Sequence, residues 1–293
     1  MRPFFITLLL LIAAASSIQA QEEENDSVVN VIGWFCTGDT LEYVYTSKAA
    51  AVSGNDTTVT ESNWNKFRIC VRDSTKKGYV MEYTPLDVEP NDTTSLQGRL
   101  TYMAARAALG SHVLFSTDEM GAFKEIVNWK EISEQSMKRT VLLIDSIYKA
   151  NPALSSTIAK ADLMESVRKS VDETYGSKEK MSDLFAGLKL IFSFHGQSFP
   201  LGESEGETSS GKCYYEVAKG AIEGEEATSE DDYQLYVKVD FPEEHGMKSE
   251  IHYSYDYFAD GWPRSFLVTN VEHYGGREEI TQFHLDWVRK SWK

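Results

Sequence analysis

Four polar side chains near the carboxyl end of the chain are of the types that carry out acid–base chemistry. They are His252, Asp256, His284 and Asp286. Histidine changes its charge near neutral pH, and a neighbouring carboxylate can orient it or act as a base. The alternation of the surrounding sequence places all four on the polar face of predicted strands. The pattern is therefore compatible with a hydrolytic site on that face.

The opposite face of the same strands carries large aromatic side chains. The five predicted ligand-binding residues are Tyr253, Tyr255, Phe266, Phe283 and Trp287. If helices cover this face completely, the five belong to the hydrophobic core. If part of it stays open, it forms a concave apolar pocket with hydroxyl groups at its edge, suited to a lipid-like or amphipathic ligand. The sequence leaves both interpretations open.

Two glycine turns predict how these strands pair. The dipeptides 260–261 (Asp-Gly) and 275–276 (Gly-Gly) are each predicted as two-residue hairpin turns. Together they place Tyr255 opposite Phe266, and Phe266 opposite Leu285. A slip of one residue would move these side chains to the other face of the sheet, so the aromatic pattern supports this register.

The same register argues against a shared metal ion. It separates His252 from His284 by a whole strand. The same register also places Tyr257 opposite Arg264. Neighbouring strands lie about 4.8 Å apart, so the two histidine Cα atoms are about 10 Å apart or more. Zinc ligands must bring their donor atoms to within about 2.1 Å of the metal. No metal site is therefore expected here.

The whole chain predicts an α+β fold. Strand-like segments occupy 31–88 and the region after 211, and helical periodicity lies between them in three helices over 128–151, 158–176 and 177–196. A further short helix is predicted over 95–109. Segregated elements of this kind indicate a largely antiparallel curved sheet packed against a central three-helix segment. We expect a single domain over 31–293, with its helical segment at about 128–195.

The amino terminus predicts export. Residues 1–20 combine Arg2, a short apolar stretch and a small residue, Ala20, which is the pattern of a cleaved signal peptide. Residues 21–30 are acidic and polar and are predicted to be a flexible leader. No later apolar run is long enough to span a bilayer. The predicted location is therefore periplasmic or secreted, with no membrane span after cleavage.

Charge and missing motifs exclude several classes of function. The formal net charge of −16 disfavours binding to nucleic acid, because the phosphate backbone is also negative. The chain has no HExxH, CxxC, P-loop or GxSxG pattern, and no GxGxxG that opens a helix after a strand. No cofactor is expected.

Three cysteines follow the predicted cleavage site. Cys36 and Cys70 both fall in strand-like stretches and could pair across a sheet, since export permits disulfides. Buried free thiols are the equally simple alternative. Cys213 is predicted to be a structural thiol, because no helix amino terminus lies nearby to lower its pKa.

One short segment carries a resemblance to a known group of proteins. The sequence FSTDEMGAFKEI over 115–126, followed by Asn128 and Trp129, resembles uncharacterised exported proteins of Bacteroidetes bacteria. The resemblance implies an envelope location and carries no known activity. Four Asp-Ser/Thr triplets are similar to the acceptor motif for O-linked glycans in that group. Their predicted acceptors are Ser27, Thr40, Thr57 and Thr93.

These observations favour an exported, non-catalytic protein that binds a ligand or interacts with an envelope protein. The ligand would be apolar or amphipathic and would lie between the sheet and the helices. The alternative is an exported hydrolase that uses the histidine and aspartate residues of the carboxy-terminal strands. The face of the sheet that stays open distinguishes these two hypotheses.

Overall fold

A computed structural model describes most of the chain. The described residues are 27–53, 56–89, 102, 105–106, 108–152, 159–208, 211–220, 229–243 and 246–291. The predicted signal peptide, most of the predicted leader, most of the predicted helix over 95–109 and the predicted acceptor Thr93 lie outside these residues.

Antiparallel strands dominate the described chain. Their bounds are β1 Val28–Asn30, β2 Thr40–Ser53, β3 Asp56–Thr75, β4 Gly78–Glu89, β5 Val113–Thr117, β6 Phe123–Ile126, β7 Ser198–Pro200, β8 Gly202–Thr208, β9 Gly211–Lys219, β10 Tyr233–Asp240, β11 Met247–Tyr257, β12 Pro263–Tyr274 and β13 Arg277–Ser291. Eleven of them form one sheet in the order β6-β5-β4-β3-β2-β13-β12-β11-β10-β9-β8. The sheet is curved and open, with β6 and β8 at its edges. The predicted antiparallel curved sheet is therefore confirmed.

The helical segment is only partly as predicted. Its helices are α1 Trp129–Ala150, α2 Lys160–Tyr175, α3 Lys178–Leu184 and α4 Ala186–Ile191. The predicted third helix is therefore divided at Phe185, whose backbone has φ −97° and ψ 32°. After this break the consecutive residues Leu190, Ile191 and Phe192 are all buried. Leu190 and Ile191 still belong to α4, and consecutive residues of a helix point in different directions, so more than one side of this short helix is covered.

The covering layer of the sheet is short. It consists of α3, α4 and the segment 192–199, and it packs on the inner face of the strands. Helices α1 and α2 pack mainly against each other. None of the described helices is both long and apolar enough to cross a bilayer.

The predicted pairing of the last three strands is confirmed except next to the turn between β11 and β12. Tyr255 lies opposite Phe266, which lies opposite Leu285. The predicted pairing of Tyr257 with Arg264 is wrong, because a β-bulge makes Tyr257 pair with Pro263. The connection between β11 and β12 is longer than two residues, and its Gly261 has φ +80°. Glycine accepts this left-handed conformation without steric cost, which is typical of a turn that is followed by a bulge.

Two amino-terminal segments also differ from prediction. Val28–Asn30 lies in the predicted flexible leader but forms strand β1, which pairs with β7. The segment 31–36 is predicted as a strand, yet it crosses between different parts of the fold. The N–H of Gly33 donates to Met120 O at 2.8 Å, and that of Trp34 donates to Asp260 O at 2.9 Å. These isolated bonds satisfy its backbone without a sheet ladder.

Candidate functional site

The centre of the aromatic face is covered by the helical layer. Tyr253, Tyr255 and Phe266 are buried. The ring of Phe194 meets the two tyrosine rings edge-on, with centroids 5.5 Å and 5.1 Å away. The hydroxyl of Tyr255 donates to Leu190 O in α4 at 2.7 Å. These three predicted ligand-binding residues are therefore core residues in this structure.

The other two predicted residues lie nearer the edge of the covering layer. Phe283 keeps 6 % of its surface exposed, and its ring stacks on that of Tyr45 at 6.3 Å between centroids. Trp287 is half-buried. It meets the ring of Phe258 edge-on at 5.5 Å, and the guanidinium of Arg264 lies 5.7 Å from its centroid. Structural contacts therefore occupy Trp287, and Phe283 is a buried member of the core that contacts the half-buried Tyr45.

A group of aromatic side chains, which we call the aromatic rim, marks where the helical layer ends. It consists of Tyr45, Tyr83, Phe185 and Phe283. The rings of Tyr83 and Phe185 meet edge-on at 5.9 Å, and the first three members are half-buried. Leu184, next to Phe185, leaves 49 % of its surface exposed. An exposed apolar side chain of α3 therefore lies next to the half-buried ring of Phe185.

Polar side chains lie beside the aromatic rim on the same face of the sheet. Ser47 pairs with Phe283 across β2 and β13, and Asn65 pairs with Tyr45 across β2 and β3. The amide Nδ2 of Asn63 donates to Ser47 Oγ at 3.2 Å. Apolar rings next to amide and hydroxyl groups give this edge of the sheet an amphipathic character.

The phenols of the aromatic rim stay neutral under ordinary conditions. Burial raises the pKa of Tyr83 to about 12. Burial also raises the pKa of Tyr45, and the nearby Tyr83 adds to this shift. Neutral phenols keep their O–H groups and can donate a hydrogen bond to a carboxylate or carbonyl oxygen.

The outer face of the sheet carries an ordered polar network. Tyr236 Oη lies 2.7 Å from His252 Nδ1, and His252 Nε2 lies 3.1 Å from Glu250 Oε1. Lys238 Nζ is 3.1 Å from Glu250 Oε2 and 3.1 Å from Asp240 Oδ1. If Nε2 carries the proton, Tyr236 donates to His252 and His252 donates to Glu250. The hydrogen bond from His252, followed by Lys238, lowers the pKa of Glu250 to about 2.

The other predicted acid–base residues do not join this network. Asp256 accepts hydrogen bonds from Ser265 Oγ at 2.6 Å and from Gln234 Nε2 at 3.0 Å. His284 Nδ1 lies 3.4 Å from Asp286 Oδ2. His252 and His284 stand on β11 and β13, with β12 between them, as the sequence predicts. Within the described residues no group of three or more His, Cys, Asp or Glu side chains could hold a metal ion.

Sequence reasoning missed a buried histidine. His195 is buried, and its Nε2 lies 2.9 Å from Gly261 O. Burial lowers the pKa of His195 to about 4, so the ring is neutral at pH 7 and donates Nε2–H to that carbonyl. The rings of Phe35 and Phe192 lie within 5.8 Å and 5.3 Å of it. These contacts assign His195 a structural role beneath the β11–β12 turn.

The three cysteines are not joined by disulfide bonds in this structure. Cys36 is exposed and lies in the crossing segment rather than in a strand, while Cys70 lies in β3 opposite Thr40. Cys213 is buried in β9. The Cys36–Cys70 disulfide thus stays a prediction for oxidising conditions.

Three predicted glycan acceptors lie among the described residues. Ser27 and Thr57 are exposed, and Thr40 is half-buried at the start of β2. The hydroxyl of Thr40 donates to Gly38 O at 3.1 Å. Ser27 and Thr57 are therefore the more accessible acceptors, and glycosylation stays a prediction at all of them.

Comparisons with known proteins give no assignment. No family model matches the chain, and no curated protein matches it. Among solved structures, the chain is similar to lipovitellin, in a structure described for its lipid–protein interactions. That match has 10 % sequence identity and a TM-score of 0.49, and covers 88 % of this chain but 26 % of lipovitellin. An outer-membrane channel from Pseudomonas putida F1 is more distant, with 7 % sequence identity and a TM-score of 0.14. That match covers 88 % of this chain and 98 % of the channel. Likeness at these levels carries no functional argument.

Proposed function

We propose that this protein is an exported, non-catalytic binding protein that holds an apolar or amphipathic ligand at the aromatic rim, between sheet and helical layer. The observation that carries the proposal is the exposed side chain of Leu184 next to the half-buried Phe185, whose ring meets that of Tyr83. The polar pair Ser47 and Asn63 lies beside it on the inner face. An acyl chain would pack on the rings, and its polar end would reach the amide and hydroxyl groups.

The energetics of such binding are favourable at modest affinity. Apolar surface contributes roughly 25 cal/mol for each Å² removed from water. An acyl chain of the ligand that buries about 300 Å² of apolar surface would therefore gain about 7 kcal/mol before the costs of association. These costs are of similar size, so burial on the rings alone gives weak binding, and hydrogen bonds to the polar end of the ligand must supply the remaining affinity.

The location of the protein enters this proposal from its sequence. The predicted signal peptide and the resemblance to exported Bacteroidetes proteins both indicate the envelope, where lipids and other amphipathic molecules are abundant. An interaction with an envelope protein is the broader form of the same proposal. Native mass spectrometry of protein purified from its own envelope tests it directly. A retained lipid-like mass supports ligand binding, whereas a mature chain that still begins at Met1 contradicts export.

A solution titration tests the site itself. The fluorescent fatty acid cis-parinaric acid is expected to bind the full chain, and Tyr45→Ala is expected to weaken binding at least fivefold because it removes a ring that stacks on Phe283. The matched control is Tyr274→Ala, since that tyrosine is exposed near the end of β12. Equal affinities of the two variants, or no binding by the unmodified chain, would overturn the proposal.

The outer-face network favours a second candidate function, ester or amide hydrolysis. Tyr236 Oη would attack the acyl carbon and pass its proton to His252 Nδ1, while Glu250 would hold the ring in the required tautomer. The leaving group would take that proton, and water would then hydrolyse the acyl-tyrosine. Hydrolysis of 4-nitrophenyl acetate should fall at least tenfold in Tyr236→Phe and stay unchanged in His284→Gln. Activity that is equal in all three proteins rejects this function.

A further inference from the structure

Helix α1 exposes a group of apolar side chains that no element in the described part of the chain covers. Leu142 leaves 68 % of its surface exposed, Leu143 39 % and Ile147 36 %. The same helix buries Ile144 and Tyr148, so its packed side is a different one. Leu143 and Ile147 are four residues apart and therefore lie on one side of the helix, with Leu142 next to them. We call these three residues the α1 apolar group.

Basic side chains flank the α1 apolar group. Lys138 stands four residues before Leu142, and Arg139 stands four residues before Leu143, so each lies one turn away. Lys149 lies in the last turn of the helix. The sequence of α1 contains four basic and three acidic residues, whereas the whole chain carries a net charge of −16. The helix thus carries a small positive net charge on an acidic protein.

One of the acidic residues of α1 is already paired. Asp145 Oδ1 lies 2.7 Å from Lys160 Nζ of α2. This ion pair joins α1 to α2 and reduces the negative charge next to the α1 apolar group. The start of α1 and the end of α2 both lie near the edge strand β6. Trp129 follows β6 after two residues, and Lys178 at the start of α3 forms an ion pair with Glu125 of β6.

We propose that α1 docks on the surface of a lipid bilayer that contains anionic headgroups. A helix that lies in a membrane interface needs apolar side chains on one side and Lys or Arg beside them. Long basic side chains place their charge at the headgroups while their methylene groups stay in the apolar zone. Since the rest of the chain is strongly acidic, an anionic surface repels it and orients α1 towards the membrane.

This docking surface is independent of the aromatic rim. It uses different residues and a different element. The protein can therefore bind a monomeric ligand without contacting a bilayer, and it can bind a bilayer without a ligand at the aromatic rim. A bilayer is favoured over a protein partner by the charge pattern, because basic flanks on an acidic protein complement anionic headgroups. Three apolar side chains are few, so binding is expected to be reversible and to weaken with added salt.

Vesicle flotation of the full chain tests the proposal. Vesicles of phosphatidylcholine with about 30 % phosphatidylglycerol should carry the protein, and vesicles of phosphatidylcholine alone should carry at least fivefold less, as expected for electrostatic attraction. Leu142→Glu should reduce flotation at least tenfold. The matched control is Val59→Glu, which adds the same charge at an apolar residue of β3 that is 60 % exposed.

Charge-removing variants complete the test. Lys138→Gln combined with Arg139→Gln should remove the preference for anionic vesicles while the far-ultraviolet circular dichroism stays unchanged. Absence of flotation by the unmodified chain, or equal losses in Leu142→Glu and Val59→Glu, would overturn the proposal. A parallel titration with cis-parinaric acid separates the outcomes, because Leu142→Glu should keep the affinity that the aromatic rim provides.

Discussion

The hydroxyl of Tyr255 donates to the carbonyl oxygen of Leu190 at 2.7 Å. This bond joins the middle of β11 to the short helix α4 and fixes the covering layer over the centre of the aromatic face. It explains why Tyr253, Tyr255 and Phe266 belong to the core. The aromatic rim lies beyond this covered centre.

Tyr255→Phe should destabilise the fold by about 1 kcal/mol, since one buried hydrogen bond is lost while the ring keeps its packing. The loss stays small because Ser193 Oγ also donates to Leu190 O at 2.7 Å and leaves that carbonyl satisfied. Urea unfolding measures the change. Tyr274→Phe, at an exposed tyrosine, serves as the control and should not change the free energy of unfolding. A neutral Tyr255→Phe would show that the covering layer does not depend on this bond.

Glu250 gives the protein a pH-dependent contribution to stability. The pKa of this carboxyl is lowered to about 2 from a usual 4.5, first by the hydrogen bond from His252. A lowered pKa in the folded state means that the contribution is present above pH 4.5 and is lost as the pH falls towards 2. Because the group is partly exposed, Glu250→Gln should cost only about 1 kcal/mol at pH 7.

The measurement for Glu250→Gln is the free energy of unfolding at several pH values. Its difference from the unmodified chain should shrink between pH 5 and pH 2, where the native carboxyl becomes protonated. Glu134→Gln on α1, at an exposed residue, is the control and should leave the free energy of unfolding nearly unchanged. A difference at Glu250 that stays constant down to pH 2 would contradict the network.

Gly261→Ala should be strongly destabilising for two reasons. Its φ of +80° disfavours any side chain, and an added Cβ would lie 2.1 Å from the backbone oxygen of Ile32. Gly275→Ala tests the effect of the positive φ alone, because Gly275 has φ +57° and an added Cβ there would meet nothing within 4 Å. Thermal unfolding should show a loss of about 1 kcal/mol for Gly275→Ala and at least about twice that for Gly261→Ala. Equal losses of stability in the two variants would mean that the segment 31–36, which contains Ile32, shifts without cost to make room for the added Cβ.

The sequence predicted the carboxy-terminal strands well because their pattern is local. Alternating side chains and two glycine turns were enough to place Tyr255 opposite Phe266, and Phe266 opposite Leu285. The pairing of Tyr257 failed because a bulge depends on the exact length of the turn. Glycine at 261 indicated a turn there but did not determine how many residues the turn contains.

The candidate site was less predictable because it depends on contacts between distant segments. The network of Tyr236 and His252 requires the register of β10 with β11, and the acidic connection between these strands contains no two-residue turn signal. The aromatic rim requires Phe185, at the helix break, to meet Tyr83 from a strand about a hundred residues earlier. Periodicity identifies the apolar side of each element, but it does not show where the covering layer ends.

Photolabelling tests the central claim most directly, since it reports where a ligand lies. A fatty acid that carries a diazirine group is bound to the full chain and irradiated, and the labelled peptides are identified by mass spectrometry. Label that an excess of unlabelled fatty acid removes should be found in the peptides that contain Tyr45, Phe185 or Phe283. Label confined to Leu142–Ile147 of α1, or to the outer-face strand that contains His252, would contradict ligand binding at the aromatic rim.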